Sequence, residues 1–336
     1  MTESTTNPTT LTIGIDLGDR KSHVCVLDAD AQIIEESQLM TKPTSLRARF
    51  EGLAPTRIAL EVGGHSAWVS ELLKELGHEV LVANPRKLRM IFQNDSKNDR
   101  LDAEQLARVA RLDPRLLYPI NHRDRSARAD LSVMRARDAL VSTRTRLVNH
   151  IHGVLKSFGY RVNKYAARGF HRQVAGQIPE ELQPALQPLL DTLAALAQRI
   201  LEFEGEIRRL SSKAYPETAL LTQVSGVGPI TALRYVLTIE DPRRIERSRN
   251  VGAYLGLRPR QRQSGQGDPE LRITKAGDRE LRTLLVQCAQ YILGPFGKDS
   301  DLRRWGLKLA SRGAATAKKK AVIALARKLA VLLHRL

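Results

Sequence analysis

Cysteine is nearly absent from this chain of 336 residues, and its two examples, Cys25 and Cys288, lie far apart in apolar contexts. That usage supports neither a disulfide framework nor a cysteine-based zinc site, and it fits a reducing compartment. Long apolar runs are missing too. No uninterrupted stretch approaches the roughly 20 residues that cross a bilayer, and the opening MTESTTNPTT lacks a basic segment followed by an apolar one. Secretion and membrane insertion are therefore not expected; the cytoplasm is. Aromatic residues make up 4% of the chain, which argues against base stacking as the main mode of nucleic-acid recognition. Acidic residues are the remaining shortage, 36 Asp and Glu against 54 Lys and Arg, for a formal charge of +18. With 42% hydrophobic residues spread along its length, the chain is no disordered basic tail, and it has apolar material for about two domains.

The charge is unevenly placed. Residues 1–120 hold 15 basic and 17 acidic residues, so the whole excess lies in residues 121–336, with 39 and 19. Within that part, 121–175 carries +9, 176–220 carries −3 and 221–336 carries +14. Basic helices are often no more than solvated faces, but two separate basic blocks favour a polyanionic partner whose phosphates they track.

The first hundred residues alternate between strand and helix signals. Leu11–Gly18, His23–Asp28 and Gln32–Met40 read as three strands joined by tight turns; a helix over Ser45–Leu53, a strand over Arg57–Val62, a helix over Ser66–Leu76 and a strand over Glu79–Ala83 follow. Asn98–Arg111 reads as a last helix. The order β-β-β-α-β-α-β-α is that of an RNase H-like mixed sheet. Residues 126–158 then show one apolar stripe and a basic back, and Leu182–Leu210 reads as a second long helix. Together they predict an antiparallel helical arm, coiled-coil in character, able to pair with itself or with another subunit. The remainder reads as mainly helical, with helices over Thr231–Ile239, Asp278–Leu293, Leu302–Leu309 and Ala314–Leu336. The expected division is a flexible 1–10, a sheet domain over 11–120, the arm over 121–215 and a helical domain over 216–336.

Four carboxylates stand out. Asp16 is expected in the middle of the first strand, an expensive place for a carboxylate, between Gly14 and Gly18, which leave room for a ligand near the backbone. Glu61 closes the fourth strand, which neighbours the first in an RNase H-like sheet. Asp99 and Asp102, spaced i, i+3, project from one face of the last helix. Taken alone, these two read as ordinary acidic residues at a helix N-terminus; taken as a set of four, the carboxylates read as a site for two Mg2+ ions, with Mn2+ able to substitute.

A second constellation is the stretch YLGLRPRQRQSGQG, where Arg258, Arg260 and Arg262 lead to Ser264, with Arg272 and Lys275 beyond. That density of guanidinium groups suits a phosphate, and a serine there can act as a nucleophile if activated, although Ser-Gly in a loop is usually a flexible turn. A third is Gly226-Val227-Gly228-Pro229 between two helices. It reads either as a helix-hairpin-helix element, in which Gly226 and Gly228 bring backbone N–H groups to a phosphate, or as a tight turn that needs φ > 0.

GIDLG, ALEVGG, SKNDRLDAEQLA, QVSGVGPITAL and AYLGLRPRQRQSG…ITKAGDRELRTLLVQ together resemble the bridge-RNA-guided insertion-sequence transposases, relatives of the Piv and MooV invertases, from Leu11 to about Leu293. The resemblance implies a RuvC-like domain whose DEDD quartet is Asp16, Glu61, Asp99 and Asp102, and a C-terminal transposase domain whose serine is Ser264. The loop departs from the family's Ser-Ser-Gly-Gly pattern by reading Gln263-Ser264-Gly265-Gln266. By the same resemblance the chain is a DNA recombinase that forms a covalent phosphoserine link to donor and target double-stranded DNA. Its carboxylates and serine meet across subunits of a dimer or tetramer, and a structured guide RNA directs it, in the bacterial cytoplasm and on the nucleoid when active. Two other readings stay open: a RuvC-like hydrolytic nuclease such as a junction resolvase, using the carboxylates and water, and a non-catalytic nucleic-acid scaffold.

Overall fold

The computed structural model describes residues 11–85, 98–163, 165–261, 271–313 and 316–336. Two compact units divide the chain, Met1–His122 and Arg123–Leu336.

The first unit is built on five strands, β1 (Thr12–Asp16), β2 (Lys21–Leu27), β3 (Ile33–Met40), β4 (Arg57–Glu61) and β5 (Glu79–Ala83), in the spatial order β3-β2-β1-β4-β5. The β1–β2 and β2–β3 pairs are antiparallel, while β1–β4 and β4–β5 are parallel. Among the described residues, helices α1 (Pro43–Phe50), α2 (Ser66–Glu75) and α3 (Asp99–Leu112) accompany these strands. The mixed sheet is consistent with the expected RNase H-like arrangement.

Alternation along the strands gives the sheet two unlike faces. One carries Ile13, Ile15, Val24, Val26, Ile58 and Leu60, packed against Leu46 and Phe50 of α1 and Val69, Leu72 and Leu73 of α2. The other carries Gly14, Cys25, Ala59 and Ala83, and α3 lies on it through Ala103, Leu106, Ala107 and Ala110. Small residues on both sides bring helix and sheet backbones unusually close. A Cβ on Gly14 would stand 2.0 Å from the Ala103 carbonyl oxygen and 2.7 Å from the Ala107 nitrogen. The room at Gly14 therefore goes to protein backbone rather than to a ligand. The same holds at Gly18, where a Cβ would meet the Lys21 carbonyl oxygen at 2.2 Å. Asp16 is also not mid-strand: it is the last residue of β1, so its carboxylate reaches the sheet's end without being enclosed by it.

The second unit opens with two long helices, α4 (Arg125–Ser157) and α6 (Gln183–Lys213), with the short α5 (Phe170–Val174) between them. They run antiparallel. Ile151 and Leu155 near the end of α4 pack with Leu186, Leu190 and Leu193 near the start of α6, while Leu131 and Met134 pack with Ile207 and Leu210. An Arg137–Glu204 pair at 2.8 Å and a Tyr215 hydroxyl donating to Asp130 at 2.8 Å tie the pair further. Then come α7 (Thr218–Thr222), α8 (Pro229–Ile239), α9 (Val251–Tyr254), α10 (Arg279–Leu293), α11 (Asp301–Ala310) and α12 (Ala317–Arg335), around a core that includes Leu255, Leu281, Leu285, Leu325 and Leu329. Arg234 of α8 is fully buried and meets Asp138 of α4 at 3.6 Å, and Asp278 and Glu280 at the start of α10 at 3.3 Å each. A buried cation of this kind is tolerated only with its acidic partners, and removing one partner from such a group costs about 3–5 kcal/mol.

Because the neighbour of Gly14 is backbone, Gly14→Ala must displace α3, and we expect it to lower the unfolding free energy by about 1–3 kcal/mol in a urea titration. Gly63, which a Cβ would leave without a neighbour inside 4 Å, is the control: Gly63→Ala should change little, and equal effects of the two substitutions would contradict the close-packing account.

Candidate metal centre

Each carboxylate owes its place to a local cause. Asp16 ends β1 on the face covered by α3, since it alternates with Gly14. Glu61 ends β4, and the parallel register that pairs Ile15 with Leu60 continues to place Glu61 beside Asp16. Asn98 caps α3 by accepting from the Arg100 N–H at 3.1 Å, which starts the helix so that Asp99 and Asp102 fall in its first turn. Arg100 then bonds Glu36 of β3 at 2.6 Å, tying this turn to the sheet. Farther along, the Arg108 guanidinium donates to the Ala31 carbonyl at 3.1 Å, and Arg111 donates to the Ala29 carbonyl.

The result is that Asp16, Asp99 and Asp102 each offer an oxygen, all within 4.8 Å of one another. Glu61 is not part of that closest set, but its charge reaches Asp16. Burial first, then Asp99, Asp102 and Glu61, push the Asp16 carboxyl from an ordinary value near 3.8 to about 6, against a smaller opposing pull from His23. His23 faces Asp16 across the β1–β2 ladder and lies 3.1 Å from the Gln38 amide. Neither His23 nor the Arg100–Glu36 tie was singled out by sequence; a histidine one strand away is invisible until register is known. His65, next to Glu61 in sequence, accepts from the Trp68 indole at 3.1 Å and lies 3.5 Å from Asp19.

Hard carboxylate oxygens in mutual repulsion, one of them holding its proton unusually firmly, fit a divalent cation of the Mg2+ or Mn2+ kind. Those residues would hold it, and its binding would displace a proton from Asp16.

The basic constellations fall in the second unit. Arg258 and Arg272 stand on the two sides of a short ladder: Pro259 bridges Ile273, the Arg260 N–H donates to the Arg272 carbonyl at 3.0 Å, and Thr274 donates to the Arg258 carbonyl at 2.9 Å. Arg258, Arg260, Arg272 and Lys275 are all exposed on this stem. Arg262 and Ser264 lie outside the described residues, as does Lys97 before α3. Beneath the stem, Arg282 of α10 is buried and donates to the carbonyls of Leu255 at 3.0 Å and Ala276 at 2.6 Å, fastening both sides to the core.

In the third constellation, α7 and α8 flank the turn. Gly226, at φ +88°, packs on α10, where a Cβ would come within 2.9 Å of Ile292 and 3.2 Å of Tyr291; the demand for positive φ therefore accounts for this glycine. Gly228 caps α8 with open space around it, and Pro229 follows at the first helical position.

Comparison with known proteins decides the family. Residues 13–159 match the DEDD model of the IS110 type, described as "Transposase", and residues 218–299 match the model "Transposase IS116/IS110/IS902 family". The chain is 30% identical to the "Probable family 20 transposase" of Pseudomonas aeruginosa, with 87% of each chain covered. This chain belongs to the IS110/IS116/IS902 transposase family. It is also 30% identical to the transposase for insertion sequence element IS1328 of Yersinia enterocolitica over 84% of each chain, and 28% identical to that for IS1111A of Coxiella burnetii over 88% of this transposase and 81% of the other. The first matched region contains all four carboxylates, and the second contains the arginine stem and the glycine turn. Among the described residues of the transposase, no helix is long and apolar enough to cross a membrane.

The raised Asp16 pKa has a readable consequence. A folded-state value above the unfolded one favours the protonated form, so the associated stability is full below about pH 4 and is lost as pH rises through about 6. Without cations, the first unit is therefore expected to lose stability between about pH 4 and pH 7, and Mg2+ should restore it at neutral pH, with proton release on binding confined mainly to pH values near and below about 6. Calorimetry across that range checks this, with Asp16→Asn expected to flatten the acid-side dependence; an Asn variant that keeps it would contradict the assignment.

Proposed function

We propose that this transposase cuts and rejoins DNA by metal-assisted phosphoryl transfer, with Asp16, Glu61, Asp99 and Asp102 as the cation-holding quartet and Ser264 as the nucleophile. The observation that carries the reading is the convergence of Asp16 from β1 with Asp99 and Asp102 from α3, to within 4.8 Å of one another. When bound there, two Mg2+ ions, or Mn2+ in their place, supply stabilisation of negative charge on the phosphoryl group and ease deprotonation of the attacking hydroxyl. The chain's own residues do the rest. The Ser264 Oγ forms a bond to phosphorus while one P–O bond to deoxyribose breaks. The serine proton passes to a base, and the released sugar oxygen takes up a proton. The covalent phosphoserine then stands ready for attack by another DNA end. Arg258, Arg260, Arg262, Arg272 and Lys275 surround the phosphate charge, a role supported by four exposed like charges gathered on one short ladder. The backbone at Gly226 and Gly228 adds phosphate contacts at the start of α8, where the space beside Gly228 is open.

Donor and target double-stranded DNA are the substrates on this reading. The resemblance noted in the sequence adds a structured guide RNA and an oligomer, dimer or tetramer, in which Ser264 of one chain serves the carboxylates of another, all in the cytoplasm. Net charges of +9 over 121–175 and +14 over 221–336 support polyanion binding of this extent.

Incubation of the transposase with Mg2+, element-end DNA and any co-purified RNA, followed by a denaturing gel, tests the chemistry. A protein–DNA adduct is expected, lost in Ser264→Ala, and Asp16→Asn should lower cleavage by at least about a hundredfold with DNA binding nearly intact. Free cut ends that persist in Ser264→Ala would establish hydrolysis in place of serine attack, and binding without any cleavage would leave a scaffold.

A further inference from the structure

The region where α4 ends has a composition unlike the rest of the chain. Residues 139–179 contain seven Lys and Arg, three His and no Asp or Glu in 41 residues. The end of α4 is set by Gly159, at φ +84°, whose N–H donates to the Lys156 carbonyl at 3.1 Å while the Tyr160 N–H donates to the Leu155 carbonyl at 2.9 Å. This paired closure turns the chain back along the helix it has just left and sets Tyr160 against Leu155. Between the turned chain and the helix lies a cavity of about 300 Å3 lined by His152, Leu155, Lys156, Tyr160, Arg161 and Val162. Its volume is at the small end of the range for small-molecule sites, roughly 300 Å3 upward, and its lining joins apolar and aromatic walls to cations. Phe158, in the same turn, is 56% exposed and Tyr160 is 42% exposed.

Two exposed rings set beside cations offer a π-surface to a partner that also matches the positive charge. A second copy of this basic end, or a peptide without acidic residues, would bring no such match. A DNA duplex matches the charge but hides its base faces inside the stack, so it cannot use the rings. An unpaired strand matches both, since each nucleotide brings a π-face and a phosphate. We propose that this end of the α4–α6 pair is a binding site for unpaired DNA, with a nucleobase in the cavity against Tyr160, its phosphate between Lys156 and Arg161, and a neighbouring base on Phe158. The inference rests on the reading that this transposase works on DNA, and it adds a separate place for strands opened during that work. It also refines the expectation from composition: aromatics are scarce overall, but two exposed ones are gathered where the chain carries only positive charge.

The test uses the full chain and a short single-stranded DNA bearing 2-aminopurine, alongside its duplex form and an RNA of the same sequence. Wild type should quench the probe on binding. The double variant Phe158→Ala with Tyr160→Ala should lose the quench and bind the single strand about tenfold more weakly, with duplex affinity changed less than about twofold. Tyr160→Phe, which keeps the ring, should bind as wild type. Circular dichroism of the double variant should match wild type, since neither ring belongs to the apolar core between α4 and α6. Undiminished single-strand binding by the double variant, an equal loss for duplex, or a preference for the RNA strand over the DNA strand would each overturn the proposal. Asp16→Asn separates this site from the cation centre: it should abolish cleavage and leave the quench intact. Normal cleavage by wild type with no quench would remove the strand site alone.

Discussion

The close approach of α3 to β1 is the constraint on which the first unit depends. It is possible only because Gly14 has no side chain and because Ala103 and Ala107 present small ones, so that helix backbone rests almost on strand backbone. A helix held at an ordinary distance by Val or Leu would carry Asp99 and Asp102 away from Asp16. The opposite face, filled with Ile, Val, Leu and Phe, supplies the apolar burial that holds the sheet together and leaves the small-residue face free to serve geometry.

That arrangement works against itself electrostatically. Burial of Asp16, and then the charges of Asp99, Asp102 and Glu61, raise its pKa, and the repulsion among these carboxylates would drive the first turn of α3 outward. The arginines of the same helix oppose this. Arg100 holds Glu36, and Arg108 and Arg111 hold carbonyls of the β2–β3 turn, so the helix is pinned along its length by contacts that leave its acidic end uncompensated. The residual repulsion is what a divalent cation would relieve. The second unit handles charge differently: Arg234 and Arg282 are buried and spent on internal partners, while Arg258, Arg260 and Arg272 stay exposed.

Much of this was legible in the sequence because it rests on local periodicity. Strand and helix order in the first unit, both long helices and the i, i+3 spacing of Asp99 and Asp102 follow from patterns a few residues long. Glu61 at the end of its strand was legible for the same reason. What was not legible depends on contacts distant in sequence. Gly14 looked like room for a ligand because its real neighbour, Ala103, is 89 positions away. Asp16 looked mid-strand because apolar residues continue past it, although the ladder stops there. Nothing in the local sequence of Arg234 or Arg282 names the carboxylate or carbonyl that receives it. Gly159 stood unnoticed as the residue that turns Tyr160 back onto α4.

Everything proposed for the chemistry depends on a cation being held by those three aspartates. Anomalous diffraction from crystals of this chain grown with Mn2+ at neutral pH tests this most directly. The account predicts manganese density bonded to oxygens of Asp16, Asp99 and Asp102, lost in Asp16→Asn. Manganese absent from this position in well-ordered crystals, or held by other residues with the three aspartates unliganded, would contradict it.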